Sequence, residues 1–357
     1  MAYDHKLKKA YLDAGLFVKS GAYVLVDGQF GSTGKGLVAA ALAEMFHDRV
    51  TSVTCNAGPN SGHTSYVNGE KIVLCQLPTF GVVARKFGSR PTIQMNAGAI
   101  IDSERLEWEI ANYASDPFGV FVSGRAALVN AGAIEAEKHL KNSVGSTGKG
   151  TGAALAAKIM RQPGATWSSV SANSMALEGE MWQTAYGPVF VEVSQGFSLS
   201  LNAAPFYPYC TSRDCTVGQA LSDAGIHPKR LQQTIMVVRT YPIRVGGQSG
   251  PCYDDQKEIL WSDIGVEPEV TTVTKKQRRL FTWSREQFRR AVAANEPDHI
   301  VLNFANYLKS ERAIREMVSM MIEDYNAVLG WSPTTVAIGR GPNNNDLELV
   351  AWEGMIL

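Results

Sequence analysis

The sequence predicts an α/β protein with a mainly parallel central sheet that is covered by helices on both faces. Two observations predict this class. Short apolar runs alternate with helical patterns, and the first apolar run leads through a glycine-rich turn into a helix. The chain has 357 residues, 45% of them hydrophobic, which is enough to bury one large core. We therefore expect a single domain over residues 1–357, with a phosphate-binding turn and smaller accessory subdomains.

The predicted elements follow one another along the chain. Residues 1–20 form an N-terminal extension, in which apolar side chains at helical spacing over 5–18 predict a short helix. Further helices are predicted over 37–46 and between a Ser310 cap and a Gly330 stop. The apolar runs that predict strands are 22–26, 50–55, 71–75, 188–193, 235–238 and 299–304.

Charge and cysteine content exclude several classes of protein. The 34 Lys and Arg residues balance 34 Asp and Glu residues, so no global field attracts nucleic acid or a membrane surface. The five cysteines are an odd number without CxxC spacing, which disfavours a disulfide framework and a zinc site. We expect a cytoplasmic protein with no membrane span, no targeting segment and no nucleic-acid partner.

The glycine-rich turn over 28–36 is typical of phosphate binding. Its glycines let backbone N–H groups approach an anion, the following helix contributes its positive end, and Lys35 adds a charge. The turn departs from the ordinary P-loop pattern, because Gly36 stands where that pattern has a metal-binding hydroxyl. A turn needed only for packing is the alternative.

A polar turn over 55–64 follows the second predicted strand and carries His63. A lone histidine usually has no catalytic role. Beside a phosphate loop, however, His63 becomes a candidate acid or cation that stabilises charge on a transferring phosphoryl group.

A second loop, over 145–152, repeats the hexapeptide Gly-Ser-Thr-Gly-Lys-Gly of residues 31–36. No strand pattern immediately precedes this copy, and the flanking sequences differ. We therefore expect two separate anion contacts rather than duplicated phosphate loops. A coincidence of small residues in a loop is the alternative.

The segment 271–279 concentrates four cations and three hydroxyls in nine residues. It is either a solvated charge run or a loop that holds a dicarboxylate or a phosphate, since arginine forks match such groups in two-bond geometry.

These motifs together resemble one family, the adenylosuccinate synthetases. Residues 28–36 resemble the family's opening G-Q-W-G-D-E-G-K-G, and residues 60–64 resemble its N-A-G-H-T. In the same order, residues 145–152 are similar to G-T-T-G-R-G-I-G, 192–196 to E-G-A-Q-G, 207–212 to Y-P-Y-V-T-S, 241–246 to Y-S-T-R-V-G, and the basic segment to T-G-R-x-R-R. The resemblance extends from about residue 22 to 345, and the short length is similar to that of compact, archaeal-like members.

The resemblance implies a carbon–nitrogen ligase with Mg²⁺ bridging the donor phosphates. The implied catalytic residues are Ser32, Lys35, His63 and Gln195, and His63 would stabilise the phosphoryl group moved to the purine 6-oxygen. The implied donor-nucleotide residues are Gly31, Thr33, Gly34, Lys35, Gly36, Gly62, His63, Thr64, Asn303, Phe304, Asn306, Gly341 and Pro342. The implied metal contacts are Ser32 and Gly62.

The resemblance also implies the other two substrate sites and a homodimer. The acceptor-nucleotide residues would be Ser32, Asn60, Ser146, Thr147, Arg161, Gln195, Thr211 and Arg244. Among these, Arg161 matches an arginine that reaches the partner subunit's nucleotide. The aspartate site would be formed by Thr272, Val273, Thr274, Lys276, Arg278 and Arg279, although the glycine-arginine pair of that motif is replaced by lysines at 275 and 276.

The first departure from the family pattern is Ser32, which stands where the family has an aspartate that removes the N1 proton of IMP. A hydroxyl cannot replace that base near neutral pH without assistance. It is smaller and uncharged, however, and leaves space for an amino group at purine position 2. This combination resembles the phage branch that converts dGMP, aspartate and ATP to 2-amino-2'-deoxyadenylosuccinate, a step toward diaminopurine DNA.

The second departure lies at the donor base. Members that use GTP carry T-K-x-D, whose aspartate binds guanine, whereas this chain has Asn303, Phe304 and Asn306 in that segment. An amide can donate to and accept from adenine, and Phe304 can stack on the base, so we expect ATP or dATP as donor.

The predicted function is therefore ligation of L-aspartate to position 6 of dGMP, within purine biosynthesis and in a host cytoplasm if the protein is viral. One alternative is an ordinary IMP-using adenylosuccinate synthetase. The other is a nucleotide-binding regulator that has lost catalysis, against which His63, Gln195 and the retained basic segment argue.

Overall fold

The protein is described by a computed structural model over residues 4–114, 119–179, 187–270 and 276–350. The α-helices in these ranges are α1 His5–Asp13, α2 Lys35–Phe46, α3 Thr79–Lys86, α4 Ser103–Tyr113, α5 Ala131–Ala136, α6 Leu140–Ser143, α7 Thr151–Ile159, α8 Val217–Asp223, α9 Trp261–Ile264, α10 Arg285–Asn295 and α11 Glu311–Leu329. The strands are β1 Gly21–Asp27, β2 Ser52–Cys55, β3 His63–Val67, β4 Glu70–Leu74, β5 Thr92–Met95, β6 Ile100–Ile101, β7 Val120–Val122, β8 Ala127–Leu128, β9 Leu177–Glu178, β10 Pro188–Glu192, β11 Leu231–Arg239, β12 Ile243–Arg244, β13 Glu258–Ile259, β14 Arg279–Phe281, β15 His299–Asn303, β16 Thr335–Gly339 and β17 Leu347–Leu349.

One large sheet organises the fold. In the described part of the chain it has ten strands in the order β17-β16-β15-β11-β1-β10-β2-β5-β7-β9. All neighbours in it are parallel except β16 and β17. A separate three-stranded sheet, β12-β14-β13, forms an accessory unit. The prediction of a mainly parallel sheet is confirmed.

Helices cover both faces of this sheet. The side chains of β1 point alternately to the two faces, and those on both faces are buried. Tyr23 and Leu25 point into one apolar cluster, which contains α2 and α3. Ala22, Val24 and Val26 point into the other, which contains side chains of α8, α10 and α11. Successive strand residues face opposite sides of a sheet, and both sides of β1 are buried, which explains its continuous apolar run.

The N-terminal extension is part of the core. Asp4 caps α1 by accepting from the Lys6 amide at 2.8 Å, and it also accepts from the Leu349 amide of β17 at 3.2 Å. The buried Tyr11 ring lies edge-on to His299 with centroids 5.2 Å apart. Burial lowers the pKa of His299 to about 3, so this imidazole is neutral inside the fold. The helix predicted over 5–18 is therefore confirmed in its first part.

The strand predicted over 71–75 is confirmed, and it lies outside the main sheet. This strand, β4, pairs antiparallel with β3 in a separate hairpin that places His63 opposite Leu74. Asn68 and Gly69 connect the two strands with φ angles of 52° and 81°. Two consecutive positive φ angles are typical of the tight hairpin turn, which returns the chain directly instead of through a crossover.

The other predicted elements lie close to where they were expected. The long helix α11 is capped by Ser310, whose hydroxyl accepts from the Ala313 amide at 3.2 Å, and it ends at Gly330 with φ +82°. Strands β5, β7, β9, β16 and β17 join the main sheet without having been predicted. In the described chain no helix is long and apolar enough to span a membrane.

Candidate functional site

The glycine-rich turn connects the central strand β1 to α2. Gly31 and Gly34 have φ angles of +85° and +88°, and Gly34 is the N-cap of the helix. A Cβ atom on Gly34 would lie 2.5 Å from the Asn303 Nδ2 atom. A side chain at this position is therefore excluded twice, by backbone conformation and by space. In the described chain no side chain accepts from the amides of Lys35 or Gly36, which leaves the helix N-terminus available for an anion.

The buried carboxylate of Asp27, the last residue of β1, holds this turn in place through hydrogen bonds. It accepts from the Gln29 amide at 2.9 Å, the Gly31 amide at 3.2 Å and the Thr33 hydroxyl at 2.5 Å. Its fourth partner is the Lys35 ammonium at 3.0 Å. Asp27 was not among the predicted site residues, although an acidic residue that ends a buried strand just before a glycine turn is a usable sequence signal.

Lys35 connects the turn to the segment after β10. Its ammonium also donates to the Gln195 carbonyl at 2.6 Å, and the Gln195 side chain donates to the Asn60 carbonyl at 3.3 Å. Gln195 has φ +68°, a left-handed conformation that these contacts hold. Three predicted site residues from distant parts of the chain therefore lie together.

His63 lies beside the start of α2, because a Cβ atom on Gly36 would be only 2.9 Å from the His63 Cβ atom. The His63 Nδ1 atom is 3.7 Å from the Glu192 carboxylate. Glu192 also accepts from the Thr79 and Phe80 amides at 2.9 and 2.6 Å, so it is fixed at the N-terminus of α3. A carboxylate held in this way limits how the imidazole can be oriented.

Ser32 is exposed at the tip of the turn, with φ +56°. Its carbonyl oxygen accepts from the Arg239 Nη1 atom at 3.0 Å. Gly62 is exposed on the adjacent turn, and Thr64 follows His63 in β3 with its backbone next to Gly36. The tip of the loop is therefore accessible to a ligand.

The predicted donor-base residues meet the turn from the carboxyl end of β15. The Asn303 amide group donates to the Thr33 carbonyl at 2.8 Å, so this side chain supports the loop. Phe304 has φ +59° and is partly exposed, and Asn306 is exposed beyond it. Gly341 and Pro342 lie after β16, the next strand of the sheet, where Pro342 is exposed.

The second copy of the hexapeptide has a different environment. Gly150 is the N-cap of α7, and the buried Glu137 carboxylate accepts from the amides of Gly150, Gly152 and Ala153. This helix N-terminus therefore already holds an anion, which belongs to the protein itself. Ser146 and Thr147 are half-buried just before it, where the Ser146 hydroxyl accepts from the Gly148 amide at 3.1 Å.

Arg161 is exposed just beyond the end of α7, with φ +57°. The two preceding apolar side chains, Ile159 and Met160, are 64% and 71% exposed. No contact of Arg161 with the other predicted site residues is found in the described chain. Its predicted role is in a partner's site, so it remains a prediction.

Two predicted arginines are engaged by protein groups. The Arg244 guanidinium lies over the Phe30 and Phe206 rings, 4.5 and 5.3 Å from their centroids, and donates to two backbone carbonyls. Burial lowers its pKa to about 10. Thr211 is half-buried in the neighbouring segment. Arg279 forms two hydrogen bonds with Glu258, at 2.9 and 2.6 Å.

The remaining aspartate-site residues divide between described and undescribed parts of the chain. Thr272, Val273 and Thr274 lie outside the described residues. Lys276 is exposed, and Arg278 is half-buried near the Glu269 carboxylate. In the described chain no hydrogen bond is found for the Arg278 guanidinium, which makes Arg278 the better candidate of the adjacent pair for a carboxylate ligand.

A phosphate-binding turn at the carboxyl end of a central parallel strand, with a histidine and a lysine beside it, defines a nucleotide-dependent phosphoryl-transfer enzyme. The chain belongs to the adenylosuccinate synthetase family, since the family model named Adenylosuccinate synthetase matches residues 24–184 and 177–328. This membership confirms the prediction of a carbon–nitrogen ligase.

Relatives of two kinds are found. The N6-succino-2-amino-2'-deoxyadenylate synthase of Salmonella phage PMBT28 is 37% identical over 92% of this chain and 97% of that protein. The adenylosuccinate synthetase of Pyrococcus sp. (strain ST700) is 31% identical over 76% of this chain and 80% of that protein. Among solved structures, the succinoaminodeoxyadenylate synthetase of Cyanophage S-2L, bound to dGMP and dATP as an energy donor, has a TM-score of 0.80 and 32% identity, covering 92% of this chain and 95% of that one.

Proposed function

We propose that this protein joins L-aspartate to C6 of dGMP with ATP or dATP as phosphoryl donor, giving 2-amino-2'-deoxyadenylosuccinate for diaminopurine nucleotide synthesis. The observation that carries the proposal is Ser32, an uncharged residue exposed at the tip of the phosphate loop where the family has an aspartate. The N6-succino-2-amino-2'-deoxyadenylate synthase of Salmonella phage PMBT28 matches 92% of the chain, whereas the Pyrococcus synthetase matches 76%, which supports the same conclusion.

The reaction has two steps. The donor's γ-phosphoryl group is transferred to the guanine 6-oxygen, which releases ADP or dADP, and the N1 proton passes to solvent. The 6-oxygen thereby becomes part of a phosphate leaving group. The aspartate amine then attacks C6, the C6–O bond breaks, and inorganic phosphate departs. His63 lies beside the loop with its Nδ1 atom 3.7 Å from the Glu192 carboxylate, so its imidazole can donate a hydrogen bond to the transferring phosphoryl group.

The acceptor site lies in this proposal between the loop tip and the segment after β10. The contact between Gln195 and Asn60 supports it, because it brings together two residues that the family resemblance assigns to the purine nucleotide. Lys35 holds Gln195 through its carbonyl at 2.6 Å. Lys35 thereby couples the donor-phosphate loop to the acceptor site as well as contributing charge.

The donor base lies in this proposal against Phe304, with Asn306 at its edge. The exposed position of Asn306 and the partly exposed Phe304 ring support it. An asparagine amide can form hydrogen bonds with adenine. It lacks the negative charge that would strengthen hydrogen bonds from the N1–H and 2-amino groups of guanine. ATP or dATP is therefore favoured over GTP.

Magnesium fits this site as part of the donor complex. Asp27 is saturated by four donors, and the Ser32 carbonyl is engaged by Arg239, so the protein offers the Ser32 hydroxyl and the Gly62 carbonyl. In the described chain no cluster of three or more His, Cys, Asp or Glu side chains could hold a metal by itself. Mg²⁺ is commonly held by substrate phosphates, waters and few protein oxygens, and it would supply charge neutralisation on the donor phosphates.

We further propose a homodimer in the host cytoplasm. Ile159 and Met160 expose apolar surface next to Arg161, which supports a protein contact at this corner. Arg161 would then approach the acceptor nucleotide of the partner.

The function is tested by product analysis. Purified protein is incubated with aspartate, ATP and Mg²⁺ plus either dGMP or IMP, and products are identified by mass. We expect faster turnover of dGMP, and Ser32→Asp should lower activity on dGMP by crowding the 2-amino group. Equal or better use of IMP by the unmodified protein would favour an ordinary adenylosuccinate synthetase and overturn the proposal.

A further inference from the structure

Arg239 is a fully buried arginine at the end of β11 that none of the proposed catalytic steps uses. Its guanidinium forms a salt bridge with Glu269 at 2.5 Å and donates to the Ser32 carbonyl at 3.0 Å. Its carbon atom Cζ also lies 3.9 Å from the centre of the Phe304 ring. One side chain therefore touches three separate parts of the site.

The contact with Phe304 fixes the ring from behind. Phe304 has φ +59°, and its carbonyl accepts from the Thr240 hydroxyl at 2.8 Å. The adjacent residues Arg239 and Thr240 thus hold both the ring and the strained backbone of Phe304. Because the guanidinium occupies one face of the ring, a base can stack only on the opposite face.

The contact with Glu269 extends this arrangement to Arg278. The Arg278 amide donates to the Glu269 carbonyl at 2.9 Å, and the Tyr307 hydroxyl donates to the Glu269 carboxylate at 3.0 Å. Burial raises the pKa of Glu269, but the Arg239 charge and hydrogen bonds outweigh it, and the net pKa is lowered. Glu269 therefore stays ionised and holds Arg239 and Arg278 in fixed positions relative to each other.

We propose that Arg239 is a positioning residue that holds the donor-base platform Phe304, the acceptor contact Ser32 and the candidate aspartate ligand Arg278 as one unit. The planar guanidinium suits this task, because it stacks and forms forked hydrogen bonds at the same time, which an ammonium cannot do. The proposal rests on the proposed function for the identity of the three subsites. Loss of Arg239 should weaken donor and aspartate binding together.

The test compares Arg239→Met and Arg239→Lys with the unmodified protein. ATP affinity is measured by equilibrium binding with Mg²⁺ and without any acceptor, and the KM for aspartate is measured separately at saturating ATP and dGMP. In Arg239→Met we expect the ATP Kd and the aspartate KM each to rise about tenfold, with a smaller change in kcat. Arg239→Lys should recover part of this loss.

A matched control is Arg285→Met. Arg285, at the start of α10, donates several hydrogen bonds to the buried Asp324 and one to Glu323, both in α11. Its loss should lower Tm while leaving both constants within about twofold. If Arg239→Met lowered Tm in the same way and also left both constants unchanged, a purely structural role would follow and the proposal would be wrong.

Two further measurements keep the test decisive. If Arg239→Met does not fold, Glu269→Gln replaces it, and a rise in the aspartate KM with retained Tm supports the proposal, while unchanged constants overturn it. Because ATP binding is measured without acceptor, the two proposals can fail separately. An unmodified protein that binds ATP but does not use dGMP would overturn the acceptor assignment alone.

Discussion

The same six residues, Gly-Ser-Thr-Gly-Lys-Gly, occur at 31–36 and at 145–150 and form two different structures. In the first copy the second glycine, Gly34, caps the helix, so that Lys35 is its first residue. In the second copy the helix begins two positions later, after Gly150. The hexapeptide alone therefore does not determine at which of its residues a helix begins.

The flanking residues explain the difference. The first copy follows a buried strand that ends at Asp27, whose carboxylate binds the turn and Lys35 from below. The second copy follows short helices and receives Glu137 at the amides of Gly150 and Ala153, at 2.8 and 3.1 Å. Asp27 shapes the loop of the first copy and leaves the N-terminus of α2 available for a ligand. Glu137 instead occupies the N-terminus of α7, the helix that follows the second copy. The comparison shows that an anion-binding motif can be satisfied internally.

The largest expected effect concerns Lys35 and Lys149, the equivalent lysines of the two hexapeptide copies. Lys35→Met should lower kcat/KM by roughly 10²–10³-fold, because it removes a preorganised cation from the phosphate loop and its bond to Gln195. Lys149→Met should cost no more than about tenfold, because Lys149 precedes the helix cap. Steady-state kinetics with ATP, dGMP and aspartate measure both. Equal losses would show that both copies hold substrate phosphates.

The helix caps should separate stability from activity. Gly34→Ala and Gly150→Ala each force a left-handed conformation on alanine, which costs about 1–2 kcal/mol. The new Cβ would meet the Asn303 side chain at 2.5 Å in the first case and the Ile134 amide nitrogen at 2.8 Å in the second. We therefore expect Gly150→Ala to lose more free energy of unfolding and Gly34→Ala to lose more activity. Urea denaturation and kinetics on the same samples would reveal a reversed order.

Glu137→Gln tests whether the second copy holds only an internal anion. The substitution weakens charge-assisted bonds to buried amides and should lower the free energy of unfolding by about 1–3 kcal/mol. Asp27→Asn is the matched change in the first copy, and it should also reduce activity because Lys35 loses its partner at 3.0 Å. Loss of kcat in Glu137→Gln without loss of stability would contradict a structural role.

The smallest expected effect concerns Arg161, which lies just beyond the C-terminal end of α7, the helix that follows the second copy of the hexapeptide. If this arginine serves the partner's site, Arg161→Ala should raise the KM for dGMP about five- to tenfold without changing Tm. Mixing Arg161→Ala with His63→Ala should restore activity in hybrid dimers. A fully active monomer in sedimentation and kinetic dilution experiments would contradict the dimer.

The sequence by itself determined the strand, turn and helix from 22 to 46, because apolar periodicity and glycine positions are local signals. It also determined the family, since the motifs occur in order along the chain. The hairpin of β3 and β4 was not predicted, although Asn68-Gly69 is a sequence signal for its turn, and the short strands β5 and β7 were not detected. For such short apolar runs, sheet membership depends on neighbours distant in sequence.

The tertiary structure alone decided how the site is held together. Asp27 binds Lys35 eight positions away, Lys35 reaches Gln195 across 160 positions, and Arg239 meets Ser32 across 207. A buried polar group must be paired, but the sequence does not say with which partner. The parallel sheet supplies the answer, because it brings the carboxyl ends of β1, β10, β11 and β15 to one edge, where loops from distant parts of the chain are forced into contact.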